Sequence, residues 1–320
     1  MDILIVHDKL PASPSKDELD TMVEVAQVTR ALCANGHHVM RSAFSLNLAA
    51  VVKRIGSCKP QMVFNLVETL YGSRLIHLAP ALFEALQVPF TGGGSQGMYL
   101  SSNKLLAKRL MRLAGIPTPE WVEDPKTADL SALLGSPLIV KPIAEEASVG
   151  INDDSVRVFN TRDELEQTFS TLGPATVFAE RFIDGREFNI SILPIGGVPQ
   201  VLPPAEMCFL DYPPGKPAIA GYEAKWEESS FAYTHTQRNF AFGPSDSLLI
   251  GQLKDLSLRC WELFGSQGYA RVDFRVDSRG VPYVLELNVN PCIAEDSGFT
   301  AAAQVAGMTH MEMIERIVQG

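Results

Sequence analysis

The chain has 320 residues, of which 46% are apolar and 20% charged, and its formal net charge is −10. This length allows two or three domains of about 100 to 200 residues each, and the acidic balance excludes nucleic acid as the main partner, because phosphate binding needs a basic stripe. The opening MDILIVHDKL has no basic leader and no long apolar run, so neither a signal peptide nor a membrane span is expected and the chain reads as cytoplasmic.

In chain order, Ile3 to Val6 reads as a strand, Asp17 to Asn35 as a helix closed by Gly36, and His38 to Met40 as a second strand. A helix near Leu46 to Ile55, a strand Met62 to Asn65, a helix around Ile76 to Leu86 and a strand Pro89 to Thr91 follow. Strands separated by helices predict a parallel α/β domain over residues 1–94. A helix from Ser102 to Ala114 is stopped by Gly115, Pro117 and Pro119. Leu138 to Lys141 is strand-like, Thr161 and Glu164 make a capping box for a helix ending near Leu172, and Thr176 to Phe182 is another strand. Residues 95–183 therefore predict a small α+β domain. The last domain, 184–320, opens with strands Phe188 to Leu193 and Val198 to Leu202 around a Gly196-Gly197 turn. A long Pro-rich loop, a helix from Ser245 to Phe264 and a strand pair within Gly268 to Pro291 complete the mixed α+β reading.

That strand pair, GYARVDFRVDSRGVPYVLELNVNP, is the most informative segment. Pairing Asp277 with Gly280 around the turn predicts Arg271 opposite Glu286 and Asp273 opposite Val284. Period-two alternation then places Arg271, Asp273, Glu286 and Asn288 on one face, with Val272, Phe274, Leu285 and Leu287 on the other. Three oxygen-bearing side chains beside one guanidinium suit a hard cation such as Mg²⁺ with substrate phosphates, not Zn²⁺. A salt-bridged sheet face would carry the same letters. The five cysteines, Cys33, Cys58, Cys208, Cys260 and Cys292, lack CxxC spacing and fit reduced thiols, and the six histidines form no metal-ligand pattern.

Other stretches divide between chemistry and plain structure. Gly92-Gly93-Gly94-Ser95-Gln96-Gly97 matches GxGxxG, but it stands at the last turn of its domain, where a flexible interdomain turn is the better reading. Lys141, delivered by a strand, and the loop Glu145 to Gly150 with Ser148 form either a phosphate-binding loop or a surface turn. Glu180 to Glu187 is either a nucleotide-contacting hinge or a polar turn. The long segment from Pro203 to Phe242, with Lys225 in YEAKW, has the length of a lid or binding loop, although Lys225 could equally be a solvated lysine.

The ordered set FNLVE, PFTGG, NKLLAKRLMRLAGIPTPEW, IVKP, ASVGI, ERFIDGREFN, YEAKW, GYARVDF and LELNVNP resembles the ATP-grasp superfamily, and within it the D-alanine–D-alanine ligase-like carboxylate-amine ligases. The resemblance covers nearly the whole chain. It implies a three-domain fold with ATP between the last two domains, and one or more Mg²⁺ (two ions, with Mn²⁺ as a substitute) on Asp273, Glu286 and Asn288. It further implies that Lys104 and Lys141 hold phosphates under the Ser148 loop, that Glu180, Arg181, Phe182 and Ile183 line the adenine slot, and that Glu187 binds ribose. Lys225 would touch the terminal phosphate and Arg271 the developing oxyanion. Ser297, Asn290 and Cys292 would face the amino-acid-like substrates.

The resemblance has gaps on the substrate side. His7-Asp8-Lys9-Leu10-Pro11 stands where these ligases carry a GGxSxE segment whose glutamate holds an amine. Ala147-Ser148 replaces a pair of serines, Trp226 a tyrosine, and Cys292 an oxyanion-hole glycine. Asp17, Glu18, Asp20 and Glu24 are the candidate replacement anchors, against a solvated acidic helix start. The expected activity is ATP-dependent amide formation through an acyl phosphate on a divergent substrate. The alternative is a nucleotide-binding regulator or scaffold without catalysis. A homodimer is the default assembly.

Overall fold

The computed structural model describes residues 1–173 and 176–320. Ile3, Leu4, Ile5 and Val6 are all fully buried, and that unbroken apolar run makes β1 (Asp2–Asp8) the centre of a parallel sheet ordered β2-β1-β3, with β2 His38–Phe44 and β3 Met62–Leu66. Its side chains alternate between two cores. Ile3 and Ile5 join one, Leu4 and Val6 the other, and helices α1 (Lys16–Ala34), α2 (Leu48–Cys58) and α3 (Leu78–Ala85) flank the sheet. The expected strand at Pro89–Thr91 contributes only a single parallel bridge, Phe90 with Val63.

The expected helix Ser102–Ala114 is α5, Lys104–Leu113, and a further helix, α4 Ser95–Ser102, precedes it across a break at Asn103. Asn103 caps α5 by accepting the Leu106 N–H at 3.1 Å, so Lys104 begins the helix instead of lying inside one. The glycines before α4 are not a flexible turn. Thr91, Gly92, Gly93 and Gly94 are buried, and a Cβ on Gly93 would fall 2.5 Å from the Val289 side chain.

Strands β4 (Trp121–Val122), β5 (Pro137–Pro142), β6 (Val156–Val158) and β7 (Val177–Arg181) form an antiparallel sheet ordered β4-β7-β5-β6, backed by α6 (Arg162–Leu172). The largest sheet joins β8 (Gly185–Ile195), β9 (Val198–Val201), β10 (Ala205–Phe209), β11 (Thr236–Asn239), β12 (Ala270–Asp277) and β13 (Pro282–Asn288) in the order β11-β10-β8-β12-β13, with β9 also on β8. The segment 203–242, expected to hold little regular structure, supplies β10, β11 and the short helices α7 (Tyr222–Trp226) and α8 (Phe231–His235). Helix α9 (Ser247–Leu263) covers the sheet, and α10 (Gly298–Val305) and α11 (His310–Gln319) end the chain against α1 and β8. Met98, Ala107 and Met111 of α4 and α5 share a core with Phe188, Val272 and Phe274 of the large sheet. Among the described residues no helix is long and apolar enough to cross a membrane.

The register of β12 and β13 differs from expectation twice. Asp277 N–H and Val281 C=O bond at 3.0 Å around a three-residue loop with Gly280 at φ +79°, so Asp277 faces Val281 and not Gly280. A bulge at Leu285 then adds a second one-residue shift, giving Asp273 opposite Glu286 and Arg271 opposite Asn288. Two odd shifts restore parity, so the four side chains keep their common face. Val272, Phe274 and Leu287 lie in the core as expected, but the bulge turns Leu285 out of it and into the cleft.

Gly92 holds a φ of +86° with its α-carbon against Asn290, and an added Cβ would lie 2.3 Å from Asn290 Oδ1. Gly92→Ala is expected to destabilise the chain by about 2 to 4 kcal/mol, from strain plus displacement of Asn290. Calorimetry checks this, and an unchanged Tm would show the joint to be loose.

Candidate functional site

Three neighbouring strands set out the site in rows. β8, β12 and β13 align Ser191 with Arg271 and Asn288, and Asn189 with Asp273 and Glu286, while β8 and β12 pair Glu187 with Arg275. Because the intervening residues Phe188, Ile190, Val272 and Phe274 are buried on the opposite face, the rows cannot rotate away without exposing the core. Arg271 grips Asp273 with Nε to Oδ1 at 2.7 Å and Nη2 to Oδ2 at 2.8 Å, and Asn189 Nδ2 donates to the same Oδ1 at 2.9 Å. Despite burial, Asp273 and Glu286 hold the guanidinium more firmly protonated than usual.

Lys104, at the start of α5, reaches across to Glu286 Oε2 at 3.0 Å and donates to the Glu145 carbonyl at 2.6 Å. Burial would raise the Glu286 carboxyl, but Lys104, Lys141 and Lys225 hold it down at about 2. Lys141, from β5, pairs with Glu180 Oε1 at 2.6 Å, and Lys108 takes Glu180 Oε2 at 2.5 Å. Glu180 is 1% exposed and stays ionised because the two ammonium groups outweigh its burial. Its carboxylate therefore orients Lys141, and any contact with a base would come from its backbone. Lys108, overlooked in the sequence, completes this triad; its spacing on α5, one turn after Lys104, was the available signal.

One cleft between the two antiparallel sheets collects Lys104, Lys141, Ser148, Glu180, Arg181, Phe182, Ile183, Glu187, Lys225, Asp273 and Glu286. Ile139, Ile183, Ile219 and Leu285 give it an apolar lining beside the lysines and acids. Glu146, also in its wall, is pushed up to about 7 by burial, with Lys104 opposing and Glu286 adding to the rise. Glu187 is likewise raised by burial, with Arg275 Nε 3.5 Å from its Oε2. The Arg181 guanidinium turns away to Glu120 and the Ala132 carbonyl.

A second segment closes this cleft. Ala147 and Ser148 take left-handed φ values of 54° and 63°, and Ser148 Oγ donates to the Ala220 carbonyl at 2.8 Å. Trp226 Nε1 donates to the Ala147 carbonyl at 3.1 Å, and Tyr222 OH to Asp17 Oδ1 at 3.1 Å. Burial and then Arg271 lower the Lys225 ammonium below its ordinary range.

The remaining candidates separate. Ser297 caps α10 by accepting the Thr300 N–H at 3.1 Å, leaving its hydroxyl hydrogen to donate. Arg238, from β11, lies against Gly298 and was not foreseen. The Asn290 amide is engaged inside the protein, accepting from Tyr269 OH at 3.0 Å and donating to the Asn65 carbonyl at 3.4 Å. Of the four acids offered as anchors, Glu18 closes the capping box with Ser15 and Asp17 holds Tyr222, whereas Asp20 and Glu24 turn toward Cys292.

Residues 110–319 match the family model described as D-ala D-ala ligase C-terminus. The D-alanine–D-alanine ligase of Synechococcus sp. (strain JA-3-3Ab) is 34% identical over 247 residues, covering 74% of this chain and 70% of the relative. Uncharacterized protein y4sG of Sinorhizobium fredii is 29% identical over 302 residues, 91% of this chain and 85% of its own. In fold, the chain resembles the crystal structure of Bacillus anthracis D-alanine–D-alanine ligase complexed with ATP, with a TM-score of 0.76 at 22% identity over 100% of this chain and 96% of that one.

Burial pushes Asp8 and Glu24 up to about 7, as it does Glu146. The folded chain thus keeps protons that the unfolded chain has lost above the ordinary carboxylate range, so stability must fall as pH rises from about 5 to about 8. The Glu286 shift has the opposite sign and acts only at more acidic pH. Calorimetry of the ligand-free chain is expected to show a falling Tm over this window, with a shallower slope in Glu24→Gln, whose contribution is up to about 3 kcal/mol. A Tm rising with pH would contradict the burial of these groups.

Proposed function

Because the chain belongs to the D-alanine–D-alanine ligase family of ATP-grasp ligases, we propose that it uses ATP to join the carboxylate of one small amino-acid-like molecule to the amine of another, through an acyl phosphate. The observation that carries this reading is the pair of rows Ser191–Arg271–Asn288 and Asn189–Asp273–Glu286, of which Asp273 and Glu286 line one cleft together with Lys104 and Lys141.

A carboxylate is a weak electrophile at neutral pH, and phosphorylation gives it a leaving group. The apolar lining of the cleft suits a flat base, and in this reading Glu187 takes the ribose hydroxyls and Lys104 and Lys141 the phosphates. Asp273, Glu286 and Asn288 offer oxygen ligands, which fits Mg²⁺, and Glu146 adds a third carboxyl. Bound there, the ion would neutralise phosphate charge. Arg271 uses Nε and one Nη2 hydrogen on Asp273, which leaves Nη1 to stabilise charge on the acyl oxygen. In this reading Ser297 and Arg238 take a substrate carboxylate, and the Cys292 segment the oxyanion. Asn290 positions that segment from within. Ser148, Trp226 and Tyr222 tie the cover down, which keeps water from the reactive intermediate. Lys225, in that cover, meets the terminal phosphate.

The test is ADP release with Mg-ATP over pairs of amino acids, with mass-spectrometric product detection. Arg271→Ala is expected to spare ATP binding and to lower turnover at least about 100-fold, as loss of an oxyanion donor does. An unaffected rate would remove Arg271 from the mechanism. Tight Mg-ATP binding without ADP release for any pair would instead mark a nucleotide-binding scaffold.

A further inference from the structure

Asp20, Glu24, Glu68 and Cys292 form a cluster that the steps above leave unused. Glu24 comes from α1, Glu68 follows β3 and Cys292 follows β13, and one ligating atom from each of these three lies within 4.8 Å of the others. Asp20 stands one helical turn before Glu24, with Oδ2 4.0 Å from Cys292 Sγ. Asp8 supports the group from below, since its carboxylate accepts the Glu68 and Thr69 N–H groups and fixes the segment that carries Glu68.

Among the described residues, no lysine, arginine or histidine forms an ion pair with Asp20, Glu24 or Glu68. A second observation points to a missing donor. Glu24 is 1% exposed and its Oε1 accepts the Ile293 N–H at 2.6 Å, yet its buried Oε2 has no partner. Buried carboxylate oxygens are ordinarily hydrogen-bonded, so this one marks the place of a donor the protein does not supply. Asp20, Glu68 and Cys292 are half-buried and leave the cluster a side open to solvent.

The chemistry selects an ammonium over a metal. The unpartnered Glu24 oxygen calls for a hydrogen-bond donor, and an ammonium carries three donors and no acceptor, whereas a bare metal ion carries none. The Cys292 thiol, pushed well up by burial and by the two glutamates, stays protonated and is a poor metal ligand. The sign of the charge selects further. A neutral amino acid brings one ammonium together with its own carboxylate, which leaves the other acids of the cluster without a donor. A diamino acid brings a net positive charge.

We propose that the Glu24–Glu68–Cys292 cluster seats a primary ammonium of a basic, diamino-type amino acid, which makes such amino acids the preferred substrates. The assignment of substrate rests on the ligase reading. The test follows thermal unfolding of the full chain with Mg-ATP, titrated with lysine, ornithine and alanine of both hands, alongside ADP release. Lysine or ornithine is expected to raise Tm at concentrations at least tenfold below those of alanine. Glu68→Gln and Glu24→Gln are expected to abolish that preference without changing ATP affinity.

Alanine acting at equal or lower concentration than the diamino acids would overturn the proposal. So would a shift from Zn²⁺ or Mn²⁺ alone that Glu68→Gln removes while amines give none. Should Glu24→Gln fail to fold, Glu68→Gln at its half-buried position decides. A lysine shift that Glu68→Gln abolishes, without ADP release for any pair, would support the site and overturn the ligase reading. ADP release from neutral pairs alone would do the reverse.

Discussion

The molecule depends on the lock between two faces of one three-stranded platform. Phe188, Ile190, Val272 and Phe274 are buried beneath it, and burying each is worth about 2 to 3 kcal/mol, so the strands cannot slide by one residue without losing most of that. On the upper face the same register places Arg271, Asp273, Glu286 and Asn288 side by side. The gathering of acids, unfavourable in itself, is therefore held by apolar packing on the reverse side. The Leu285 bulge serves both faces, since it keeps Glu286 level with Asp273 and sends one leucine into the cleft as part of its apolar wall.

Charge in the cleft is arranged so that most groups have an internal counterpart that a ligand can displace. Asp273 is held by Arg271 and Asn189, Glu286 by Lys104, and Glu180 by Lys108 and Lys141. Lys108 and Glu180 are both about 1% exposed, and such a pair acts as fixed framework, because breaking it would leave an unpaired buried charge costing about 3 to 5 kcal/mol. Lys104 and Lys141 line the cleft beside their partners, so they are ammonium groups open to a ligand there.

Sequence patterning was informative where burial is one-sided. The run Ile3 to Val6 announced a central parallel strand, and period-two alternation identified the common face of Arg271, Asp273, Glu286 and Asn288. That face survived a register mistaken at two points, the Gly280 loop and the Leu285 bulge, because alternation records parity and not pairing. Leu285 itself was misplaced for the same reason. Helix α4 was missed because Gly92 to Gly97 reads as a turn, and Asn103, which separates it from α5, serves to cap α5 and aim Lys104 into the cleft. Gly92 to Gly94 carry the same letters whether flexible or tightly packed. The choice depends on Val289 and Asn290, nearly two hundred residues away. The spacing of Lys108 one turn after Lys104 hinted at a shared role, but its partner Glu180 lies on another element and only the fold joins them.

Helix α1 links the two ends of this arrangement. Its first turn holds the cover through Asp17 and Tyr222 and through the Lys16–Glu227 pair, while one and two turns later Asp20 and Glu24 face Cys292. Closure of the cover and the acid cluster thus share a single rigid element, so a shift of α1 that accommodates a ligand beside Glu24 must also move the Asp17 anchor. The contacts that seal the cleft from water depend in this way on what occupies the N-terminal side. The chain's departures from the ligase pattern fall there, at His7 to Pro11, Ala147, Trp226 and Cys292, whereas the residues proposed to meet phosphate follow it. Chemistry at the phosphate end can be conserved by the platform while recognition varies along one helix and two loops.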